Sequence, residues 1–261
     1  MSADYLLQVF SLTGKTAILT GATGGLGTSL ALALAKAGAS IVSIEIPDDP
    51  NSDTLKKTIS EEAGSSVRSF TCDLARTADL RACYASIWEA GIIPDILVNC
   101  AGVVRRNACE DATDDDLDLL ISVNMKATYA SCQEFGRKLL ELNRPGKIIN
   151  IASVTAFQAN KFTSVYAATK GAVVQMTKAF SNEWASKGIQ VNCISPGYMI
   201  TPMTAVYAKD EAINSSLMSR VPAGRWGIPT DLEPAVLFLA SPANTFTTGT
   251  SVTVDGGYCG K

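Results

Sequence analysis

Short apolar, β-branched runs alternate with longer stretches of helical periodicity along most of the chain. The runs cover residues 15–20, 40–46, 67–71, 95–99, 147–152, 189–194 and 250–254. Apolar runs of this length are typical of strands that are buried on both faces, and each is followed by a predicted helix or a loop. The pattern therefore predicts an α/β fold with a seven-stranded parallel sheet and helices on both faces.

The helical stretches cover residues 25–37, 53–63, 77–90, 114–142, 165–187 and 230–240, with Thr77, Thr113 and Thr230 as expected N-caps. The segment 197–227 interrupts the alternation and contains a helix-like piece at 202–219. Long excursions beside the carboxyl edge of a sheet often close over a bound molecule. We therefore expect this segment to act as a substrate lid.

Composition narrows the class of protein. With 261 residues, 47% of them hydrophobic, and no long polar tract, residues 1–261 are expected to form a single domain. The net charge of −3 arises from interspersed residues, which disfavours a nucleic-acid partner. No run reaches the roughly 18 apolar residues of a membrane span. Residues 1–10 also lack the features of a secretory signal, so we expect a soluble, cytoplasmic protein with no membrane partner.

The cysteine and histidine content excludes several chemistries. The seven cysteines are scattered and never spaced as Cys-x-x-Cys, so we expect reduced thiols rather than disulfides or a zinc knuckle. The chain has no histidine, which rules out Ser-His-Asp and Cys-His catalysis and removes the usual ligand of catalytic zinc. Acid/base chemistry must then use Tyr, Lys, Asp or Glu, and no metal site is predicted.

Tyr166 and Lys170 lie four residues apart, on one face of a predicted helix. A free phenol has a pKa near ~10, and a neighbouring ammonium that stabilises the phenolate makes the tyrosine a better proton donor and acceptor. Taken alone, the pair also fits a half-buried aromatic above a solvated lysine on a structural helix.

A glycine-rich turn near the amino terminus is the second informative motif. The sequence Thr20-Gly21-Ala22-Thr23-Gly24-Gly25-Leu26-Gly27 joins a predicted strand to a predicted helix. Such a turn lets backbone N–H groups at a helix amino terminus approach a pyrophosphate, and side chains on Gly21, Gly25 or Gly27 are expected to obstruct that approach. The alternative is a plain glycine-rich connection.

Further motifs follow the other strands. They are Cys72-Asp73-Leu74, Asn99-Cys100-Ala101-Gly102, Ser153 and Ser195-Pro196-Gly197, with Asn124 in a helix. Together with the glycine turn and the Tyr166 and Lys170 pair, they resemble the short-chain dehydrogenase/reductase family over essentially the whole chain. The resemblance implies a single-domain Rossmann fold, a nicotinamide cofactor, and hydride transfer between a secondary alcohol and a ketone.

The resemblance also implies the roles of individual residues. Tyr166 exchanges a proton with the substrate oxygen, and Lys170 lowers the pKa of that tyrosine and holds the nicotinamide ribose. Ser153 binds the substrate oxygen, and Asn124 supports a water-linked proton relay. The residues expected to bind the cofactor are Gly21, Thr23, Gly24, Gly25, Leu26, Gly27, Glu45, Asp73, Leu74, Asn99, Ala101, Gly102, Tyr166, Lys170, Pro196, Gly197, Met199 and Thr201. Cys100 stands where the family usually has a second asparagine, and we expect a local structural adjustment rather than loss of activity.

Glu45, at the end of the second predicted strand, indicates the choice of cofactor. A carboxylate there can bind the ribose 2′-hydroxyl and repel a 2′-phosphate. Neither Gly24 nor Ile46 supplies a compensating cation, so we expect NAD rather than NADP. A solvated strand-end glutamate is the alternative. Asp73 is expected to meet the adenine edge or to cap the next turn.

The substrate is indicated less directly. Stretches such as Pro222-Ala-Gly-Arg-Trp-Gly227 resemble the sugar-acid branch of the family, which includes 2-deoxy-D-gluconate 3-dehydrogenases and 2-dehydro-3-deoxy-D-gluconate 5-dehydrogenases. Arg105 and Arg106 follow the predicted cofactor loop, where a guanidinium could bind a substrate carboxylate. Surface arginines that pair with Glu110 or Asp111 are the alternative. Ser153, Tyr166 and Tyr198 complete the expected substrate site.

Two other functions remain open at this point. A ketoreductase of secondary metabolism would keep the same catalytic residues but would have an apolar pocket, which Phe157, Phe162, Tyr198 and Met199 could line. A non-catalytic NAD-binding protein would be expected to lack Ser153, Tyr166 or Lys170, and none is missing. The resemblance further implies a homo-oligomer, with a tetramer favoured, in which the long helices at 114–142 and 165–187 could pair.

Overall fold

A computed structural model describes residues 3–260. Its strands form one seven-stranded parallel sheet. The strands are β1 (Thr16–Thr20), β2 (Ser40–Glu45), β3 (Val67–Thr71), β4 (Ile96–Asn99), β5 (Gly146–Ile151), β6 (Ile189–Pro196) and β7 (Ser251–Val254). Their order is β3-β2-β1-β4-β5-β6-β7, and every neighbouring pair is parallel. The predicted Rossmann-type α/β fold is confirmed. The strand order reverses between β1 and β4, which opens a crevice at their carboxyl ends.

Helices cover both faces of the sheet. They are α1 (Ala3–Phe10), α2 (Gly25–Lys36), α3 (Ser52–Ala63), α4 (Thr77–Glu89), α5 (Asp114–Leu120), α6 (Ala127–Glu141), α7 (Ser164–Trp184), α8 (Ala205–Lys209), α9 (Glu211–Met218) and α10 (Glu233–Ala240). Alternate side chains of one strand therefore reach opposite layers: Leu19 packs in the core with α2 and α10, whereas Ile18 packs with α4 and α6. Both side chains are fully buried, which explains why the strands read as continuous apolar runs.

One of the three predicted helix caps is confirmed. The Asp116 backbone N–H donates to the Thr113 hydroxyl at 3.2 Å, at the start of α5. The prediction for Thr77 was wrong, because Thr77 is already the first helical residue of α4. The prediction for Thr230 was also wrong. Thr230 lies in a 3₁₀ turn, and α10 begins only at Glu233, one residue before Pro234, whose ring is tolerated in a first helical turn.

Three helical stretches differ from the expected boundaries. The continuous helix expected at 114–142 is divided by a π-helical turn at Ile121–Lys126, and the piece at 202–219 forms two helices that meet at Asp210. The side chain of Asp210 accepts from the Ile213 N–H at 3.0 Å and so caps α9. Helix α1 was missed, since its apolar residues Leu6 and Leu7 stay at least half exposed and give no core-facing stripe.

Within residues 3–260, no helix combines the length and the apolar character needed to cross a membrane. All seven cysteines are free, as predicted, and four of them are buried: Cys72, Cys83, Cys132 and Cys193.

Candidate functional site

A cavity of about 550 Å³ lies at the carboxyl ends of the strands, where the strand order reverses. It extends from Glu45 and Asp73 at one end to Ser153 and Tyr166 at the other. Of the residues predicted to bind the cofactor, those that line it are Gly21, Thr23, Gly24, Gly25, Leu26, Gly27, Glu45, Asp73, Leu74, Ala101, Gly102, Tyr166, Lys170, Pro196, Gly197, Met199 and Thr201. Motifs that are far apart in sequence therefore meet at one site.

The glycine turn leads directly into α2, whose N-cap is Gly24. A Cβ on Gly27 would lie 2.0 Å from the Gly21 carbonyl oxygen, and one on Gly21 would lie 2.8 Å from the Ala101 Cα. A Cβ on Gly25 would lie 2.8 Å from Pro202 Cδ. Side chains at these three positions would clash with other parts of the protein itself. The glycines are therefore required by packing, and not only by the expected approach of a pyrophosphate. The turn leaves the amino terminus of α2 open towards the cavity, where its dipole favours an anion.

Tyr166 and Ser153 meet at the far end of the cavity. Tyr166 lies in the first turn of α7, and Ser153 follows β5 with its hydroxyl accepting from the Thr155 N–H at 3.1 Å. Burial raises the pKa of Tyr166 above its ordinary value, and a hydrogen bond with Ser153 acts in the opposite direction. Two hydroxyl groups thus lie side by side, where both can bind one oxygen atom of a ligand.

Lys170 is buried one helical turn beyond Tyr166. Its ammonium donates to the Ile151 carbonyl oxygen at 2.7 Å and lies 5.8 Å from the centre of the Tyr166 ring. Burial lowers the pKa of Lys170 to about 8. Burial is the largest influence on both pKa values, so in the protein without a bound molecule the pKa of Tyr166 is raised rather than lowered as expected.

Cys100, the departure from the family pattern, lines the cavity next to Ala101. Burial raises its pKa to about 11, while the positive charge of Lys170 acts in the opposite direction. A thiol with this pKa is neutral near pH 7. Cys100 therefore serves as a small packing group against the core beneath the glycine turn.

Asn124 lies in the π-helical turn and is fully buried, outside the cavity lining. Its amide accepts from the Val103 N–H at 2.8 Å and donates to the Val103 carbonyl at 2.9 Å, with a third contact to the Thr169 hydroxyl at 3.3 Å. Asn124 thus fixes the loop after β4 to α7. Single π-helical turns are frequent at functional sites because they redirect one side chain in this way.

Asn99 does not lie where the sequence placed it. Its side chain is buried away from the cavity and donates to the Asn150 carbonyl oxygen at 2.8 Å and to the Cys132 sulfur at 3.3 Å. Asn99 is opposite Asn150 in the register, so its side chain crosslinks β4 and β5 and does not line the cavity.

The acidic end of the cavity contains both predicted acids. Glu45 is 4% exposed and accepts from the Ser69 hydroxyl at 2.8 Å, so the alternative of a solvated strand-end glutamate is wrong. Asp73 lines the cavity and accepts from the Ala75 N–H at 2.9 Å, so it caps the next turn as one of the two expectations had it. Cavity residues that the sequence did not indicate as ligands include Ile46, Asp49, Asn51, Val103, Val123, Pro202, Met203 and Thr204.

Of the five candidate substrate residues, Ser153 and Tyr166 line this cavity, whereas Arg105, Arg106 and Tyr198 lie beyond its lining. Arg105 pairs with Asp116 at 3.2 Å and donates to the Val104 carbonyl, so it is an ion-paired arginine as in the alternative, but with a different acid from Glu110 or Asp111. The loop turns back towards α5, because Asn107 also donates to Asp116, at 2.7 Å.

Arg106 and Tyr198 both make aromatic contacts in the segment 197–227. Arg106 lies 4.8 Å above the ring of Tyr207, in α8. Tyr198 packs edge-on against Tyr258 and Trp226, with ring centres 5.3 Å and 5.7 Å away. Arg106 thus connects the loop after β4 to the segment 197–227.

Known proteins resemble this chain in sequence and in structure. A family model described as enoyl-(acyl carrier protein) reductase matches residues 21–259. The 2-dehydro-3-deoxy-D-gluconate 5-dehydrogenase of Bacillus subtilis (strain 168) is 39% identical over 98% of this chain and 99% of its own length. The gluconate 5-dehydrogenase of Gluconobacter oxydans (strain 621H) is 37% identical over 96% of each chain. The crystal structure of a gluconate 5-dehydrogenase from Burkholderia cenocepacia J2315, in complex with NADP and tartrate, is 37% identical with a TM-score of 0.92 and covers 98% of this chain and 99% of its own.

Proposed function

The chain belongs to the short-chain dehydrogenase/reductase family of nicotinamide-dependent oxidoreductases, and on this premise we propose that it is an NAD-dependent dehydrogenase of a gluconate-type sugar acid. It interconverts a secondary alcohol and a ketone. The observation that supports this most strongly is the arrangement at one end of the cavity, where Ser153 and Tyr166 lie together and Lys170 follows on the same helix. At the other end, Glu45 is positioned for the ribose of the cofactor.

The cavity suits a dinucleotide. Its glycine turn has no room for side chains, the amino terminus of α2 opens onto it, and hydroxyl groups face it at the catalytic end. When bound, the nicotinamide accepts or donates the hydride. Gly24 and Gly25 would hold the pyrophosphate, and Glu45 would hold the ribose at the adenine end.

The protein's own groups handle the proton and the charge on the substrate oxygen. During alcohol oxidation, Tyr166 accepts the proton of the substrate hydroxyl, and during ketone reduction it returns that proton. Ser153 donates a hydrogen bond to the same oxygen as negative charge develops on it. Lys170 provides the positive charge that favours the phenolate, and it is the only lysine or arginine among the described residues of the cavity wall. Asn124 keeps the neighbouring loop in place through Val103.

The preference for NAD rests on the buried carboxylate of Glu45. The related enzyme from Burkholderia cenocepacia is in complex with NADP, so the choice of cofactor for this chain rests on its own residues. A 2′-phosphate beside Glu45 would meet a negative charge that is held in place by Ser69.

We predict that Glu45→Ala narrows the gap between NAD and NADP in kcat/KM by about tenfold or more, since it removes both the ribose acceptor and the repulsion. Ile46 lines the cavity and is 55% exposed, so Ile46→Arg in addition to Glu45→Ala should narrow the difference in kcat/KM between NAD and NADP further. Initial rates with both cofactors measure the effect. A wild-type enzyme that prefers NADP would contradict the proposed role of Glu45.

The proposed substrate is a sugar acid, in line with the names of the two curated relatives. The structure distinguishes the two candidate arginines. Arg105 is already paired with Asp116, whereas Arg106 forms no ion pair within residues 3–260 and reaches the lid at Tyr207. Arg106 is therefore the better candidate for the substrate carboxylate.

We predict that Arg106→Ala raises the KM for an aldonate by about 10- to 100-fold, as expected for the loss of a charged hydrogen bond of ~1.5–3 kcal/mol. The KM for a neutral polyol should change much less. Arg105→Ala is the matched control, since it removes an arginine of the same loop that is bound to Asp116. Equal effects of both variants on acid and neutral substrates, or activity confined to apolar ketones, would favour the ketoreductase alternative.

Three further features belong to this proposal. The segment 197–227 acts as the lid, since Met199, Thr201 and Thr204 line the cavity while α8 lies beside Arg106. The enzyme works in the cytoplasm as a homo-oligomer, with a tetramer favoured.

A screen of NAD reduction over aldonates, deoxyaldonates, polyols and cyclic alcohols tests the function, and we expect the highest kcat/KM with an aldonate or deoxyaldonate. Activity on cyclic alcohols alone would contradict it.

A further inference from the structure

The loop after β2 brings a second carboxylate to the cavity. Glu45 is the last residue of β2, and Asp49 follows four residues later. Between them, Asp48 has a φ of 55°, a left-handed conformation that aspartate tolerates and that turns the chain sharply. Asp49 is half-buried and lines the same cavity as Glu45 and the glycine turn.

Both oxygens of the Asp49 carboxylate are held in place. The Thr23 hydroxyl donates to one of them at 2.6 Å, and the Asn51 N–H donates to the other at 2.9 Å. Charge-assisted hydrogen bonds of this length are strong. Asp49 therefore ties the glycine turn to the loop after β2, directly across this end of the cavity.

The charges at this end of the cavity are negative. Glu45, Asp49 and Asp73 all line it, while Lys170 lies beside Tyr166 at the opposite end. A bound phosphate needs cations or free N–H and O–H donors around it. The Thr23 hydroxyl cannot serve as such a donor, because its single proton is directed at Asp49.

We propose that Asp49 is a second specificity-determining residue for the cofactor, which excludes a 2′-phosphate both by its own charge and by occupying the Thr23 hydroxyl. This inference rests on the proposed preference for NAD. Glu45 binds the ribose in this arrangement, and Asp49 closes the space beside it. One carboxylate reaches the cavity from the end of β2 and the other from the loop that follows. Together they repel a 2′-phosphate more strongly than Glu45 alone would.

Binding measured without turnover tests the proposal. Fluorescence titration with NADH and with NADPH gives both dissociation constants for the wild type and for Asp49→Asn, which keeps the shape of the side chain and removes the charge. We expect Asp49→Asn to tighten NADPH binding about 5- to 20-fold, as for removal of a close like charge. NADH binding should change by less than about threefold. Asp49→Ser serves as a second variant if Asp49→Asn lowers the melting temperature.

One further variant separates the charge of Asp49 from its contact with Thr23, and a second is a control for the loss of a negative charge elsewhere. Thr23→Val removes the contact to Asp49 but leaves the carboxylate, so NADPH should still bind weakly. Asp53→Asn is the charge control, because Asp53 lies in α3, is 99% exposed and does not line the cavity. It should leave both dissociation constants unchanged.

The outcomes that overturn the inference are distinct from those that overturn the proposed cofactor. An unchanged ratio of NADPH to NADH affinity in both Asp49 variants would reduce Asp49 to a loop anchor. An equal tightening of NADPH binding by Thr23→Val would show that the charge is not the cause. Tighter binding of NADPH than of NADH by the wild type would instead contradict the proposed preference for NAD.

Discussion

Replacing Tyr166 by phenylalanine should lower kcat by about 10³-fold or more, in the upper part of the range for loss of a general acid/base group. The change removes one hydroxyl, which is the group that exchanges the proton with the substrate oxygen. KM and the dissociation constant for NAD should stay within a few-fold of the wild type, because the ring still packs on α7. Initial rates and cofactor titration measure both effects.

Two controls make this result specific. Burial raises the pKa of Tyr166, so the buried group is a neutral phenol near pH 7, and its replacement by phenylalanine changes no charge and should shift the melting temperature only slightly. Tyr5→Phe is the matched variant, since Tyr5 is 53% exposed on α1 and does not line the cavity. It should keep full activity. A folded Tyr166→Phe enzyme with near-normal turnover would overturn the assignment.

Replacing Lys170 by methionine should lower activity and raise stability at the same pH. The pKa of this buried ammonium is about 8, against an ordinary 10.5, so the folded protein binds fewer protons than the unfolded chain between these pH values. Wild-type stability therefore rises with pH across this window, and burial of the charge costs about 3 kcal/mol below it. Methionine cannot form the hydrogen bond to the Ile151 carbonyl, and this loss reduces the gain in stability by about 1 kcal/mol. Lys170→Met should then be more stable than the wild type by about 2 kcal/mol at pH 7.

Urea unfolding at pH 7 and pH 10 checks the stability half of this prediction. The advantage of Lys170→Met should shrink as pH rises through the window from about 8 to 10.5. A destabilisation that is the same at both pH values would contradict the assignment of a charged, buried Lys170.

The pH profile of alcohol oxidation checks the catalytic half. Oxidation needs the phenolate of Tyr166, so the rate should rise with pH. Burial raises the pKa of Tyr166 and lowers that of Lys170 in the protein alone, so we expect an apparent pKa below the ~10 of a free phenol only in the complex with the cofactor. Without the ammonium, the profile should move to higher pH. An unchanged profile in Lys170→Met, with chemistry rate-limiting, would show that Lys170 does not activate Tyr166.

The sheet and its catalytic edge could be predicted from the sequence because each depends on a local pattern. Apolar runs such as the one ending at Thr20 are buried on both faces, and the motifs that follow such runs meet where parallel strands end. Glu45 and Ser153 are placed in this way at the ends of β2 and β5, and Tyr166 is placed by its helical spacing from Lys170; all three line the cavity.

Side chains whose direction depends on loop conformation could not be predicted. The turn at Asp48 brings Asp49 back to Thr23, and although Pro47, Pro50 and the aspartates between them mark a turn, they do not show where it directs the Asp49 side chain. Arg105 finds Asp116 instead of a nearer acid because the loop folds onto α5. Asn124 is turned towards Val103 by a π-helical turn, which helical periodicity does not reveal.

We propose that a sugar acid gives up a hydride from a secondary alcohol carbon to NAD at this site. This transfer is tested most directly with an aldonate that is deuterated at its secondary alcohol carbons, followed by mass spectrometry of the reduced cofactor. We predict NADH that is one mass unit heavier, formed by the wild type and not by Tyr166→Phe. Formation of unlabelled NADH, or no reduced cofactor with any aldonate tested, would contradict the account.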